Sequence, residues 1–178
     1  MNILLHACCG PCSCYSSSAL IAEGFQPTLF FYNPNIHPYQ EYDNRLKGLQ
    51  MLGQIKNLPV LVEPDYELER FLALVAANPA DRCRHCYRMR LEQTAAKAEE
   101  LGFKLFGTTL LISPYQNREL LLAIGEEIAR QHGLAFHGAD FRPGFRQSQN
   151  MAKELGLYRQ KYCGCVYSEK ERFFKPKA

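Results

Sequence analysis

No apolar run in this chain approaches the ~20 residues that a membrane-spanning helix needs. The N-terminus carries no basic region leading into a long apolar stretch, which predicts no export signal and a cytoplasmic, reducing setting. There is no internal repeat, no low-complexity segment and no linker of shifted composition, so a solenoid and a two-domain split are both excluded. Charge of one sign is scarce too. The formal net charge of +3 permits a nucleic-acid partner without demanding one. Glycine is thin where a phosphate-cradling loop would need it, for Gly10 is the only glycine in the first loop. What the chain has in surplus is cysteine, eight in 178 residues. Without export, structural disulfides are rare and thiols point to metal binding or redox chemistry.

Four of those eight lie in Cys8-Cys9-Gly10-Pro11-Cys12-Ser13-Cys14. The apolar run before it, Ile3-Leu4-Leu5, has the length of a buried strand. Ser13 onward, through Ala19, Leu20 and Ala22 to Gly24, reads as a helix ended by glycine. The cysteines therefore occupy a strand-to-helix turn, where ligands bind in open α/β sheets and where the helix N-terminus favours anions such as thiolates.

Further along, strands and helices alternate. Pro27–Tyr32 predicts a second strand, and Tyr42, Leu46, Leu49, Leu52 and Ile55 mark an amphipathic helix over about 39–55. Pro59–Val62 predicts a third strand and Leu68–Ala77 a helix. Cys83-Arg84-His85-Cys86 opens another helix, with Tyr87, Leu91, Ala95, Ala98 and Leu101 on one face. Lys104–Leu110 predicts a fourth strand, and Ser113-Pro114-Tyr115-Gln116 matches a capping box for the next helix. Leu134–His137 predicts a fifth strand and Arg146–Leu155 a last helix. The pattern argues for one α/β domain with a parallel sheet of about five strands, covered by helices on both faces.

In such a sheet every strand C-terminus opens on one edge. Cys8, Cys9 and Cys12 follow strand one there, His37 strand two, Asp65 strand three and Asp140 strand five. Two thiol pairs remain, Cys83-x-x-Cys86 and Cys163-Gly164-Cys165, and both can fold back onto that edge. Soft thiolates select zinc, copper(I) or iron–sulfur clusters. A structural zinc, a Cys9/Cys12 dithiol or inert buried thiols are the alternatives. Cys86 and Cys163 lie most of a domain apart, a dithiol enzyme needs only two thiols, and adjacent cysteines beside glycine and proline suit inert packing poorly. An iron–sulfur centre accounts best for the surplus.

Taken in order, Cys8-Cys9-Gly10-Pro11-Cys12, Tyr32-Asn33-Pro34-Asn35-Ile36, Arg82–Leu91, Thr108-Thr109-Leu110 with Ile112-Ser113-Pro114, Asp140-Phe141-Arg142 and Leu157–Cys165 resemble the cobalamin-independent epoxyqueuosine reductase family over about residues 3–168. The resemblance implies an HUP-like (Rossmann-like) fold and the last step of queuosine biosynthesis in tRNA. It also implies a [4Fe–4S] cluster beside an additional mononuclear metal, iron. The cluster and second metal draw on Cys8, Cys9, Cys12, Cys83, Cys86, Cys163 and Cys165, with Cys12 and Asp140 as catalytic candidates and Asp140 either proton donor or metal ligand. Cys14 is extra to the family's Cys-Cys-x-x-Cys pattern and inherits no ligand role.

Removal of an epoxide oxygen consumes two electrons and two protons, so an external electron donor is implied. For the tRNA, Arg84, Arg88, Arg142, Arg159 and Lys161 lie among aromatics, as phosphate and splayed-base recognition requires. The other reading of Arg88 is a solvated helix face paired with Glu92. Asp140 can equally cap the turn before Arg142-Pro143-Gly144. Residues 1–168 form the expected domain and 169–178 a basic tail. Two other readings are an HUP-fold tRNA thiolation enzyme, which the missing glycine-rich loop disfavours, and a zinc-stabilised RNA-binding module.

Overall fold

The structure, a computed structural model, describes residues 1–176, so the last two positions of the expected tail lie outside the described residues. Five strands form one parallel sheet: β1 (Asn2–His6), β2 (Gln26–Phe31), β3 (Val60–Val62), β4 (Leu105–Thr108) and β5 (Ala135–His137), in the order β3-β2-β1-β4-β5. β1 is central, with Leu4 opposite Thr28 on one side and Phe106 on the other. Its Ile3, Leu4 and Leu5 are fully buried, which suits a strand covered on both faces. Each such side chain contributes roughly 1.5–3 kcal/mol by leaving water.

The helices are α1 (Gly10–Ala22), α2 (Tyr39–Lys56), α3 (Leu68–Val75), α4 (Arg82–Glu100), α5 (Arg118–Gln131), α6 (Phe145–Glu154) and α7 (Val166–Phe173). α1 packs with α2 and α6, while α4 packs with α3 and α5 and lies against β1 and β4. Right-handed crossovers running outward in both directions from β1 place these two groups on opposite faces. The strand order reverses at β1 and β4, so the crevice at their C-terminal ends is the binding position of the fold. None of the described helices is long and apolar enough to cross a membrane.

Four boundaries differ from the sequence expectation. β4 ends at Thr108 rather than Leu110, because Thr108 Oγ1 accepts Leu110 N (3.1 Å) and starts a 3₁₀ turn over Thr109–Ile112. α1 begins at Gly10 rather than Ser13, because Cys9 serves as its N-cap: its Sγ accepts the backbone N–H of Cys12 at 3.4 Å, and Pro11 occupies the first turn. α5 begins at Arg118, not at Ser113. Ser113 Oγ accepts the N–H of Tyr115 (3.2 Å) within a separate turn, and Asn117 Oδ1 caps the helix through Leu120 N (3.1 Å). Finally, α7 was not anticipated. Cys165 caps it by accepting Ser168 N at 3.4 Å, and the expected boundary after residue 168 falls inside it.

Candidate metal centre

The β1–α1 turn gathers three thiols. The sulfurs of Cys8, Cys9 and Cys12 lie within 4.8 Å of one another and all three residues are buried. Cys8 and Cys9 Sγ are 3.6 Å apart. Tight packing places the turn: a Cβ on Gly10 would lie 2.7 Å from the carbonyl oxygen of Gly48, so α1 approaches α2 over a bare glycine. Thr109 fixes the other side, accepting Cys8 N (3.3 Å) and donating to Cys8 Sγ (3.6 Å). Cys12 and Cys9 donate to Cys8, and with Arg90 and Arg45 nearby they hold its thiol well below the ordinary value. Hydrogen bonding to Cys8, then to Cys9, together with burial, drives the Cys12 thiol upward, and burial does the same for Cys9.

Cys83, Cys86, Cys163 and Cys165 lie within electrostatic range of one another, though among the described residues only Cys8, Cys9 and Cys12 bring three sulfurs within 4.8 Å. Burial pushes Cys86 up to about 12; Arg90 opposes this, and the negative charges of Cys163, Cys83 and Cys165 add to it. Cys83 moves in the same direction, first through burial. Arg45, 1% exposed, donates to the carbonyls of Cys163 (2.8 Å) and Tyr162 (3.0 Å) while its Nε holds Glu41 (2.7 Å). That anchors the Cys163–Cys165 loop onto α2. His37, which follows β2, ties the same loop: its N–H reaches Gly164 O (2.8 Å) and its Nδ1 accepts Val166 N (3.3 Å). Gly164 sits at φ +153°, a conformation that L side chains rarely adopt.

Carboxamides serve both groups. Gln160 Nε2 donates to Cys9 Sγ (3.0 Å) and toward Cys12 Sγ (3.6 Å), Gln116 Nε2 to Cys163 Sγ (3.1 Å), and Asn35 Nδ2 to Cys86 Sγ (3.2 Å). Cys8 and Cys12 of the first loop and Cys163 of the last line one cavity of about 490 Å³, with Gln116, Gln160 and Lys161 on the same wall and Cys83, Cys86 and Cys165 off it. The donor set fits thiophilic metal chemistry. One tetrahedral ion with metal–sulfur bonds of about 2.3 Å separates its sulfurs by roughly 3.8 Å, close to the Cys8–Cys9 spacing. Four further thiols match the ligand number of a [4Fe–4S] cluster. Cys14, fully buried in α1, stands outside the three-thiol cluster.

Other expected site residues lie elsewhere. Asp140 is exposed and absent from the cavity wall. Its carboxylate accepts Arg142 Nε (2.8 Å), Nη2 (2.6 Å) and N (3.1 Å), with Arg118 Nε at 4.0 Å. The Arg142 guanidinium holds its pKa down to about 2. This is the geometry of a turn cap and arginine partner. Arg142 is accordingly occupied by Asp140. Arg84 pairs with Asp81 (3.2 Å), and Arg88 with Glu92 (3.3 Å) and Glu127 (2.9 Å), which is the solvated-face arrangement. Arg159 and Lys161 are exposed, Lys161 on the cavity wall itself.

Sequence reasoning gave Arg45, Arg90, Asn35, Gln116 and Gln160 no part beside the thiols. The arginines carried a signal: each interrupts the apolar stripe of its helix, beside Tyr42 and Leu49 in α2 and Tyr87 and Leu91 in α4. Nothing in the local sequence marked the carboxamides.

Comparison with known proteins agrees with the resemblance. The family model described as "Epoxyqueuosine reductase QueH" matches residues 3–171. An epoxyqueuosine reductase QueH of Dehalococcoides mccartyi is 42% identical over 175 residues, 98% of this chain and 96% of the relative. That of Thermotoga maritima is 34% identical over 181 residues, 96% of this chain and 92% of the relative. A solved structure from Methanocaldococcus jannaschii, described as a predicted subunit of tRNA methyltransferase, superposes with a TM-score of 0.61 at 14% identity, covering 86% of this chain and 76% of its own; this likeness concerns the fold alone. With matches of this extent, the chain belongs to the epoxyqueuosine reductase QueH family.

Proposed function

We propose that this protein reduces the epoxide of epoxyqueuosine in tRNA to the cyclopentene of queuosine, the last step of queuosine biosynthesis. The reaction takes two electrons from an external donor and two protons, breaks both carbon–oxygen bonds of the epoxide, and releases the oxygen as water. The observation that supports the reading is the buried cluster of Cys8, Cys9 and Cys12 at the sheet edge, with Cys163 on the wall of the same cavity, in a chain matched over its length by the family. Four thiols suit a [4Fe–4S] cluster and three suit a neighbouring ion, iron in this reading; when bound, these groups would supply electrons and a Lewis-acid position.

The chain's own residues hold this centre and admit the substrate. Gln160, Gln116 and Asn35 orient the sulfurs by N–H···S bonds. Arg45 and His37 fasten the Cys163–Cys165 loop beneath the cavity. Lys161 on the wall, with Arg159 two positions before it, offers positive charge to the phosphates around the modified nucleotide. Asp140, bonded to the backbone N–H and guanidinium of Arg142, shapes the loop that carries Arg142. The test is anaerobic protein assayed for iron and acid-labile sulfide, then incubated with epoxyqueuosine-containing tRNA and a reductant. Queuosine should form, and equal turnover of the free nucleoside would argue for a small-molecule enzyme instead.

A further inference from the structure

Arg90 is 1% exposed, and its guanidinium meets none of the described carboxylates in an ion pair. Its Nε donates to Asn35 Oδ1 at 2.7 Å, and its Nη2 is buried with no hydrogen-bond partner. Asn35, 2% exposed, turns its other end to the centre: Nδ2 donates to Cys86 Sγ at 3.2 Å. Arg90 lies four residues after Cys86 on α4, one helical turn away. Guanidinium, carboxamide and sulfur thus form one buried relay, and Asn35 is polarised so that its N–H points at the sulfur.

A buried cation without an anion is costly, and an apolar side chain of similar volume would serve packing alone better. The groups within electrostatic reach of Arg90 that become anionic as ligands are the thiols of Cys86 and Cys8. His6, buried nearby and bonded to Thr108 Oγ1 (2.9 Å) and the Tyr32 carbonyl (3.2 Å), is no counter-charge. An iron–sulfur centre on four thiolates carries net negative charge that grows on reduction. A fixed cation beside one of its ligands therefore favours the reduced state.

We propose that Arg90, acting through Asn35, is the built-in counter-ion of the Cys86 end of the thiolate centre and raises its reduction potential. Arg90 is a positioning residue in this role, and the proposal rests on the reductase reading above. The test is a dithionite titration of the anaerobically reconstituted full chain, followed by visible absorption and electron paramagnetic resonance. Arg90→Met should make reduction at least tenfold less favourable, about 59 mV more negative for one electron. Arg90→Lys, which keeps the charge, should recover most of the shift. Asn35→Ser, which removes the N–H···S donor, should move the potential the same way by less, and it decides the matter should the methionine variant fail to fold.

A cluster-loaded Arg90→Met or Asn35→Ser protein with unmoved potential overturns the proposal and leaves the reductase reading intact. A wild-type protein that takes up no cluster overturns both. A loaded protein whose potential shifts as stated but which leaves epoxyqueuosine unreduced supports the counter-ion role and overturns the substrate assignment alone.

Discussion

Gln160 Nε2 donates to Cys9 Sγ at 3.0 Å across 151 positions of chain. Residues that follow α6 thus close over the first loop, and the sulfurs there depend on a segment with no regular structure of its own. Replacing Gln160 with Ala removes a bond worth about 1 kcal/mol to the fold, so the melting temperature should fall by a few degrees at most. Bound metal should suffer more, since partners of metal ligands change affinity by roughly 10–100-fold. Chelator challenge of the loaded protein measures this, and retention equal to wild type would contradict the role given to Gln160.

The α1–α2 crossing predicts opposite signs for two glycines. A Cβ at Gly10 would meet Gly48 O at 2.7 Å and its carbonyl carbon at 3.0 Å, both backbone. Gly10→Ala should cost roughly 1–3 kcal/mol by overpacking and displace Cys9 and Cys12. At Gly48 the nearest atoms are in Tyr158 at 3.8–3.9 Å. Gly48→Ala should gain up to about 1 kcal/mol of helix propensity. Urea denaturation of the two variants checks the pair of signs.

Basic residues divide by what already occupies them. Lys161 lines the cavity, whereas Arg88 is bound by Glu92 and Glu127. Lys161→Ala should therefore reduce the slope of log affinity for substrate tRNA against log salt by about one phosphate contact. Arg88→Ala should leave the slope unchanged. Filter binding across a salt series distinguishes them.

Acid should loosen the Cys163–Cys165 loop through His37. Burial lowers its pKa from 6.5 to about 4, and its Nδ1 must stay unprotonated to accept Val166 N. The unfolded chain binds the proton first, so this contribution is whole above pH 6.5 and is lost as pH falls from 6.5 toward 4. His6, also lowered to about 4, falls in the same window. The difference between wild type and His37→Gln isolates the His37 share: their denaturation midpoints should converge on going from pH 7 to pH 4.5. Parallel curves would refute it.

The sheet and most helices were legible because apolar runs such as Ile3–Leu5 and the stripes of α2 and α4 report burial directly. The errors at α1 and α7 share one cause. Their N-caps are Cys9 and Cys165, and a thiol in that position is not among the usual start signals. At α5 the Ser113 pattern matched a capping box, yet Asn117 four residues on won the helix start. The cysteines were legible by clustering and spacing. Asn35, Gln116 and Gln160 were not, since their meaning lies in contacts with sulfurs 51, 47 and 151 residues away. For Asp140 the place after β5 is visible in sequence, while the grip of Arg142 on its carboxylate is not.

The most direct test is the iron, sulfide and product balance of anaerobically prepared protein across single cysteine variants. Wild type should be brown, bleach with dithionite and convert epoxyqueuosine in tRNA to queuosine with loss of one oxygen. Serine at Cys9, Cys83, Cys86, Cys163 or Cys165 should strip most of the iron and activity, while Cys14→Ser keeps both. A colourless protein holding stoichiometric zinc, with full activity, would contradict the iron–sulfur reading outright.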